Sequence, residues 1–242
     1  MKKKISIILV LLICLFSLTG CYDASSIEDA YYVVALGIDS TENDTYNISI
    51  QIAKNKDNSS SSGSSQSSDY NIYTVEADTV DSAISIFNNY LNKKINLSHC
   101  SAIIFSEELA RQGIGHIVNS LANHDEIRPN AYVLISDEDA INILENVSTS
   151  GENFSSRFYE YIINSSDYSG YTTPVTFAQF LTDINDQFGD GIAIYTTVTD
   201  DIIQNNGIAI FKDDYMVRTF VFFRFYCPFI NYKSIKRKYN YY

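Results

Sequence analysis

The chain has 242 residues, 45% of them hydrophobic, with 17 Lys and Arg against 29 Asp and Glu and a formal charge of −12. That length allows one or two domains. The charge argues against a nucleic-acid binder, because phosphate contact needs a basic face. Nineteen tyrosines and no tryptophan make the composition unusual but still globular.

In chain order, Met1 is followed by Lys2, Lys3 and Lys4, and Ile5 to Leu18 is apolar and uncharged. Those fourteen residues are too few for a membrane span of about 20 and suit a secretory leader over residues 1–20. Its end, Leu18-Thr19-Gly20-Cys21, is similar to a bacterial lipobox. Cleavage before Cys21 and a diacylglyceryl group on its sulfur are therefore expected. Two acyl chains make a stable anchor, whereas one, at about 0.8 kcal/mol per buried methylene, holds only marginally. Losing the leader takes three lysines with it and leaves a charge of −15. The expected anchor is thus the lipid itself rather than broad contact with anionic headgroups. Cys14 leaves with the leader, while Cys100 and Cys227 remain. A disulfide between them and a buried thiol at Cys100 are both open.

Residues 21–30 read as a polar tether. Tyr31 to Ile38 reads as a strand buried on both faces, with Gly37 marking a bulge or a close backbone approach. Asp39 to Thr45 is turn chemistry, with Asp39 a turn residue. Tyr46, Ile48, Ile50 and Ile52 alternate with Asn47, Ser49 and Gln51. That period predicts a strand with one face on the core and one in water, paired with the first as an antiparallel hairpin. Residues 57–68, dominated by serine, predict a flexible surface loop. Asn71 to Glu76 is a third strand. Asp78 to Leu91 is a helix with Val80, Ala83, Ile84, Phe87 and Leu91 on one face and Asp78 and Asp81 favoured at its positive end.

Ser101 to Phe105 predicts a buried strand, and Ser106 a cap for the next helix. Gly113 and Gly115 interrupt that helix before Ile117, Val118 and Leu121. Ala131 to Ile135 is another strand. Ser136-Asp137-Glu138-Asp139 resembles a capping box ahead of Ala140, Ile143, Leu144 and Val147. Phe154 to Ile163 and Thr176 to Asn185 are further helices, the second with Phe177, Phe180, Leu181 and Ile184 on one face. Ala193 to Val198 and Gly207 to Phe211 are strands, joined by Asp200 to Asn206. The alternation predicts an α+β or mixed α/β fold, a mixed β-sheet with packed helices over residues 31–200.

The composition shifts near Tyr215. Residues 21–214 hold eight Lys and Arg against 29 acids, whereas 215–242 hold six Lys and Arg, no acid, five phenylalanines and six tyrosines. Two readings stand: a basic-aromatic tail that touches membrane, or a coding frame that changed near Tyr215. Arg218 and Arg224 break the apolar run, so it is not a clean span. Elsewhere there is no phosphate-binding glycine loop and no Gly-x-Ser-x-Gly elbow. His99, His116 and His124 have no acidic partner at zinc-ligand spacing. No catalytic residue, metal ligand or cofactor is assigned.

Three stretches together carry a resemblance: Gly20-Cys21-Tyr22-Asp23 with Ile27-Glu28-Asp29 and Val33 to Asp39; Asn96-Leu97-Ser98-His99-Cys100 leading into Ala102 to Phe105; and Asp125-Glu126-Ile127-Arg128-Pro129-Asn130-Ala131-Tyr132-Val133. The chain resembles the N-terminal part of the Ger(x)C spore germination lipoproteins over residues 18–213, with Tyr22 where the family often has Trp. Gly207-Ile208-Ala209-Ile210-Phe211-Lys212 is similar to the start of the family's C-terminal region. Residues 205–214 would then open a second, truncated domain, and 215–242 would be an aberrant tail. The resemblance implies a non-enzymatic C subunit of a nutrient germinant receptor. Such a subunit is lipid-anchored, here through Cys21, to the outer face of the spore inner membrane, beside a multi-spanning A subunit and a transporter-like B subunit. His99 and Arg128 fall in the matching stretches and are read as structural, His99 capping a strand entry and Arg128 pairing with local acids. The alternative is a solute-binding lipoprotein of the cell envelope.

Overall fold

The computed structural model describes residues 3–5, 30–53, 70–146, 159, 173–186, 190–199 and 202–221. Cys21, the serine-rich stretch, the helix expected at Phe154 to Ile163 (Tyr159 apart) and Cys227 lie outside the described residues. The strands are β1 (Ala30–Ser40), β2 (Tyr46–Ala53), β3 (Tyr70–Ala77), β4 (Lys94–Asn96), β5 (Ala102–Ser106), β6 (Tyr132–Ser136), β7 (Ile192–Thr199), β8 (Ile202–Lys212) and β9 (Tyr215–Val221). The helices are α1 (Val80–Tyr90), α2 (Glu107–Gln112), α3 (Gly115–Ala122), α4 (Ala140–Asn146) and α5 (Phe177–Asn185). All nine strands share one sheet, ordered β3-β2-β1-β5-β6-β7-β8-β9, with β4 also paired to β1. The inner strands β1, β5, β6 and β7 run parallel. Antiparallel hairpins flank them on both sides. This is the mixed sheet with packed helices that the alternation predicts.

The continuous apolar runs of the parallel strands require cover on both faces. On one face, Leu36, Ile38, Ile103, Phe105, Val133 and Ile135 pack with residues of α1, α2, α3 and α5, among them Phe87, Leu109, Val118 and Phe180. The Phe180 ring meets Phe211 of β8 edge-on at 5.0 Å. On the other face, Val34, Ala35, Ala102, Ile104, Leu134 and Ile194 pack under Ala140, Ile143 and Leu144 of α4 and under Tyr159. Each fully buried aliphatic or aromatic side chain contributes roughly 1.5–3 kcal/mol, so the two layers together hold the parallel core.

Local signals set the helix starts on the first face. The Thr79 side chain accepts from Ser82 N to begin α1, one residue after the expected Asp78. Ser106 accepts from Leu109 N to begin α2, as predicted. Thr176 and Gln179 form a reciprocal capping box on α5. The break at Gly113 and Gly115 is real. Gly113 has φ 106°, and a Cβ there would meet the Tyr215 ring at 2.8 Å. The Asp214 carboxylate accepts from Gly115 N at 3.2 Å, and its carbonyl accepts from Ile114 N at 3.0 Å. The β8–β9 turn thus seals the start of α3.

Four expectations are corrected. Asn47 of β2 is exposed as expected, but Ser49 and Gln51 do not face water, because α4 and Tyr159 cover that face. Ser49 and Gln51 are buried. Gln51 Nε2 donates to Leu144 O at 2.9 Å, Tyr159 Oη donates to Gln51 Oε1 at 3.3 Å, and Ser49 Oγ bonds Thr74 Oγ1 at 2.8 Å. Asp39 is not a turn residue but the buried end of β1. The predicted Ser136–Asp139 box does not cap α4: Ser136 Oγ donates to the Asp139 carbonyl at 3.2 Å, and the cap arrives from Asp39. Residues Ile202 to Asn206 are not a connection but the first half of β8.

Gly37 marks a close approach, since a Cβ there would lie 3.1 Å from Leu144 Cδ1 and 3.3 Å from Ala140 Cβ. Gly37→Val is expected to push α4 off the sheet and lower stability by about 1–3 kcal/mol in urea denaturation. An unchanged midpoint would show that α4 does not rest on β1 there.

Candidate functional site

The stretches that carry the family resemblance are far apart in sequence, and among their described residues the fold brings Val33, Asn96 to Cys100 and Asp125 to Tyr132 to the amino end of β1, β5 and β6, while the rest of Val33 to Asp39 runs along β1. The segment entering β5 starts from the β4 strand beside β1. There Leu97 N donates to Glu126 Oε2 at 2.8 Å, and Lys94 Nζ lies 3.9 Å from Glu126 Oε1. One carboxylate therefore ties the second stretch to the third. The Tyr32 ring, just ahead of Val33, meets His99 edge-on at 4.7 Å. Ser101 N donates to Val34 O at 2.8 Å, and Tyr132 N donates to Ser101 O at 2.9 Å. Asn96 Oδ1 accepts from Ser98 N at 2.9 Å and also from Ser98 Oγ. This side-chain turn delivers His99 to the surface.

The third stretch also positions α5. Phe177 N donates to Ala131 O at 2.6 Å and Ala178 N to Pro129 O at 2.9 Å, which satisfies amides that a helix start leaves open. Next to the stretch, Asp81, Ser120, Asn123, His124, Asp125 and Glu126 line an open depression of about 480 Å³. His124 Nε2 lies 3.8 Å from Asp81 Oδ1.

His99 is surface-exposed and partly desolvated, and its pKa falls below the usual histidine value, first through desolvation and then through the charge of Arg128. The ring is thus held toward its neutral form, edge-on to Tyr32. Arg128 acts here through His99; the expected pairing with local acids is absent from the ion pairs of the described residues. Cys100 is a free, buried thiol whose Sγ donates to Ala102 O at 3.3 Å. Burial pushes its pKa up to about 12, so it is an inert core residue. Glu126 is the residue that sequence reasoning missed. It lies in a quoted stretch, but in so acidic a chain nothing marks one carboxylate as the link.

The opposite end of the parallel strands is polar too, and its groups hold structure. The Asp39 carboxylate accepts from Ala140 N at 2.6 Å across 101 residues of sequence. Burial outweighs that bond and raises the Asp39 pKa from 3.8 to about 6, with the charge of Asp139 adding to the rise. Tyr195 Oη donates to Glu107 Oε2 at 2.5 Å, and desolvation followed by that bond raises the tyrosine pKa. Thr196 Oγ1 donates to Asn205 Oδ1 at 2.8 Å.

Comparison with known proteins finds a family model, described as the spore germination protein N-terminal domain, that matches residues 23–198. The protein YfkR of Bacillus subtilis (strain 168), named for spore germination, is 28% identical over 233 residues, 91% of this chain and 59% of that protein. Spore germination protein KC of the same organism is 21% identical over 140 residues, 56% of this chain and 34% of that protein. Among solved structures, the crystal structure of the GerBC protein aligns at 15% identity and a TM-score of 0.38, covering 77% of this chain and 51% of that one. The chain spans about three-fifths or less of the length of these relatives. The matched region contains all three resembling stretches except the cysteine-bearing start of the first.

The raised Asp39 pKa has a testable sign. The folded state holds that proton more tightly than the unfolded chain, so the group adds stability below about pH 4, and the addition is lost as pH rises through about 6. Relative to Asp39→Asn, the wild type should gain on the order of 2–3 kcal/mol between pH 7 and pH 4. Parallel urea titrations of the two proteins across that range measure it, and a constant difference would contradict the buried-carboxylate assignment.

Proposed function

Since the chain belongs to the family of the spore germination protein N-terminal domain, we propose that it is the lipid-anchored, non-catalytic C subunit of a nutrient germinant receptor. The observation that carries this reading is the convergence of the described parts of the three stretches, tied by Glu126 to Leu97 N and by Val34 O to Ser101 N. At this junction His99, Asp125 and Arg128 are exposed, which leaves it open to a partner. In open α/β sheets chemistry sits at the carboxyl ends of the strands. At that end Asp39 holds α4, Ser106 caps α2 and Ser136 bonds the Asp139 carbonyl, while Asp137 Oδ1 is buried without a hydrogen-bond partner.

The partners in this reading are a multi-spanning A subunit and a transporter-like B subunit, and the site of action is the outer face of the spore inner membrane. Among the described residues no helix is long and apolar enough to cross a membrane. Attachment in this reading runs through two acyl chains on Cys21, at the end of a tether over residues 21–30 that leads into the domain of residues 31–200. Residues 205–214 would begin a further domain and 215–242 an aberrant tail.

Replacing Cys21 by Ser should move the protein from the membrane to the soluble fraction of lysed spores and abolish the nutrient response that depends on it. Membrane retention of Cys21→Ser, or normal germination in spores lacking the gene, would refute the proposal.

A further inference from the structure

Among the described residues, two buried side-chain oxygens have no hydrogen-bond partner, Asp137 Oδ1 and Asn206 Oδ1. They flank the same residue of β7. Asp137 follows directly on β6, its N donates to Thr196 O at 3.1 Å, and its carboxylate is drawn to Val198 N. It therefore stands beside Thr197, one step past the last β6–β7 pair, Ser136 with Thr196. On the other side of Thr197, Asn206 Nδ2 donates to Thr197 Oγ1 at 3.0 Å. The β7–β8 register skips Asn206, since Tyr195 pairs with Gly207 and Thr196 with Asn205. The Asn206 amide is thus turned toward Thr197 and Asp137, and the residue is only 8% exposed. Neighbouring strands lie about 4.8 Å apart, which puts the backbones of Asp137 and Asn206 roughly 10 Å apart with Thr197 between them. All three side chains share one face. Asp137 continues the alternation of Val133 and Ile135, and Thr197 that of Ala193 and Tyr195, whose core lies under α2.

We propose that Asp137 Oδ1 and Asn206 Oδ1, on either side of Thr197, form a binding site for a small molecule carrying a primary ammonium group. A buried acceptor without a donor costs free energy, and such groups call for a missing partner. Both atoms are acceptors, so the partner must bring at least two donors; an ammonium brings three. The surroundings select a cation. Glu138 and Glu107 act on Asp137, whose pKa is raised first by burial and then by those charges. Arg111, the cation that acts on Tyr195, is already held by Glu107 at 2.6 Å. A metal ion suits the place less, because no three His, Cys, Asp or Glu side chains of the described residues come together to hold one. Asp137 and Thr197 are half-buried, which leaves a way in from solvent. The position fits the topology as well. After β5 the chain turns to α2 on one face, and after β6 to α4 on the other. Where such connections part, at the carboxyl ends of parallel strands, α/β sheets hold their ligands. This site goes beyond the receptor reading and does not depend on the Cys21 anchor.

Titration of the full chain in detergent micelles tests this. The probes are methylammonium chloride and, at the same ionic strength, tetramethylammonium chloride and potassium chloride. The thermal midpoint and the Asn206 side-chain amide resonance are followed. Methylammonium should raise the midpoint in a saturable way and shift that resonance. Tetramethylammonium, which has no N–H, and potassium should do neither. Asp137→Asn keeps the shape and loses the charge, and should lower the methylammonium affinity about tenfold or more, the loss of a charge-assisted hydrogen bond. An equal response to all three salts, or an unaltered affinity in Asp137→Asn, would overturn the site. So would an Asn206 resonance that methylammonium never moves, the mark of two acceptors served by water only.

Discussion

One buried hydrogen bond ties the helix on the second face of the sheet to β1: the Asp39 carboxylate on Ala140 N at 2.6 Å. A parallel sheet must be covered on both sides, and on this side the described cover is one short helix with Tyr159. A helix of seven residues has too few turns to hold itself by propensity. It stands because Asp39 satisfies its first amide, Leu144 accepts from the buried Gln51, and Gly37 lets its backbone side sit close on β1. The burial this creates is what raises the Asp39 pKa. The same contacts explain why Ser49 and Gln51 of β2 are inside.

Satisfaction of helix starts by distant groups recurs through the molecule. Asp214 reaches Gly115 N from the β8–β9 turn, and the Pro129 and Ala131 carbonyls reach the start of α5. Each bond fixes one helix relative to a strand that is remote in sequence. The sheet acquires two unlike ends as a result. At one, carboxylates and hydroxyls are spent on helices. At the other, Tyr32, His99, Glu126 and Arg128 stand where the second and third resembling stretches meet the start of β1.

Local order was legible where a short window decides it. The apolar run of β1, the Ser106 cap, the break at Gly113 and Gly115, and the apolar faces of α1 and α5 all appear in the structure. What failed needed knowledge of the third dimension. The alternation of β2 is genuine, yet it says only that Ser49 and Gln51 point away from the first core, not that α4 waits on the far side. Asp39 follows an apolar run and precedes turn residues, so its spacing looks like a turn; its partner lies 101 positions on. Ile202 to Asn206 is polar enough to read as a loop, but its polar groups pair across β7, Asn205 with Thr196 and Asn206 with Thr197. The resembling stretches were visible one by one, whereas the Glu126 link that joins two of them was not.

The central claim is that this α+β domain serves as a membrane-held part of a larger assembly rather than acting alone. Affinity isolation of the tagged chain from detergent-solubilised spore inner membranes tests it most directly. The account predicts that two multi-spanning proteins come down with it in constant ratio, and that they are lost when Tyr32 and His99 are both replaced by Ala. Recovery of the chain alone from intact membranes would contradict it.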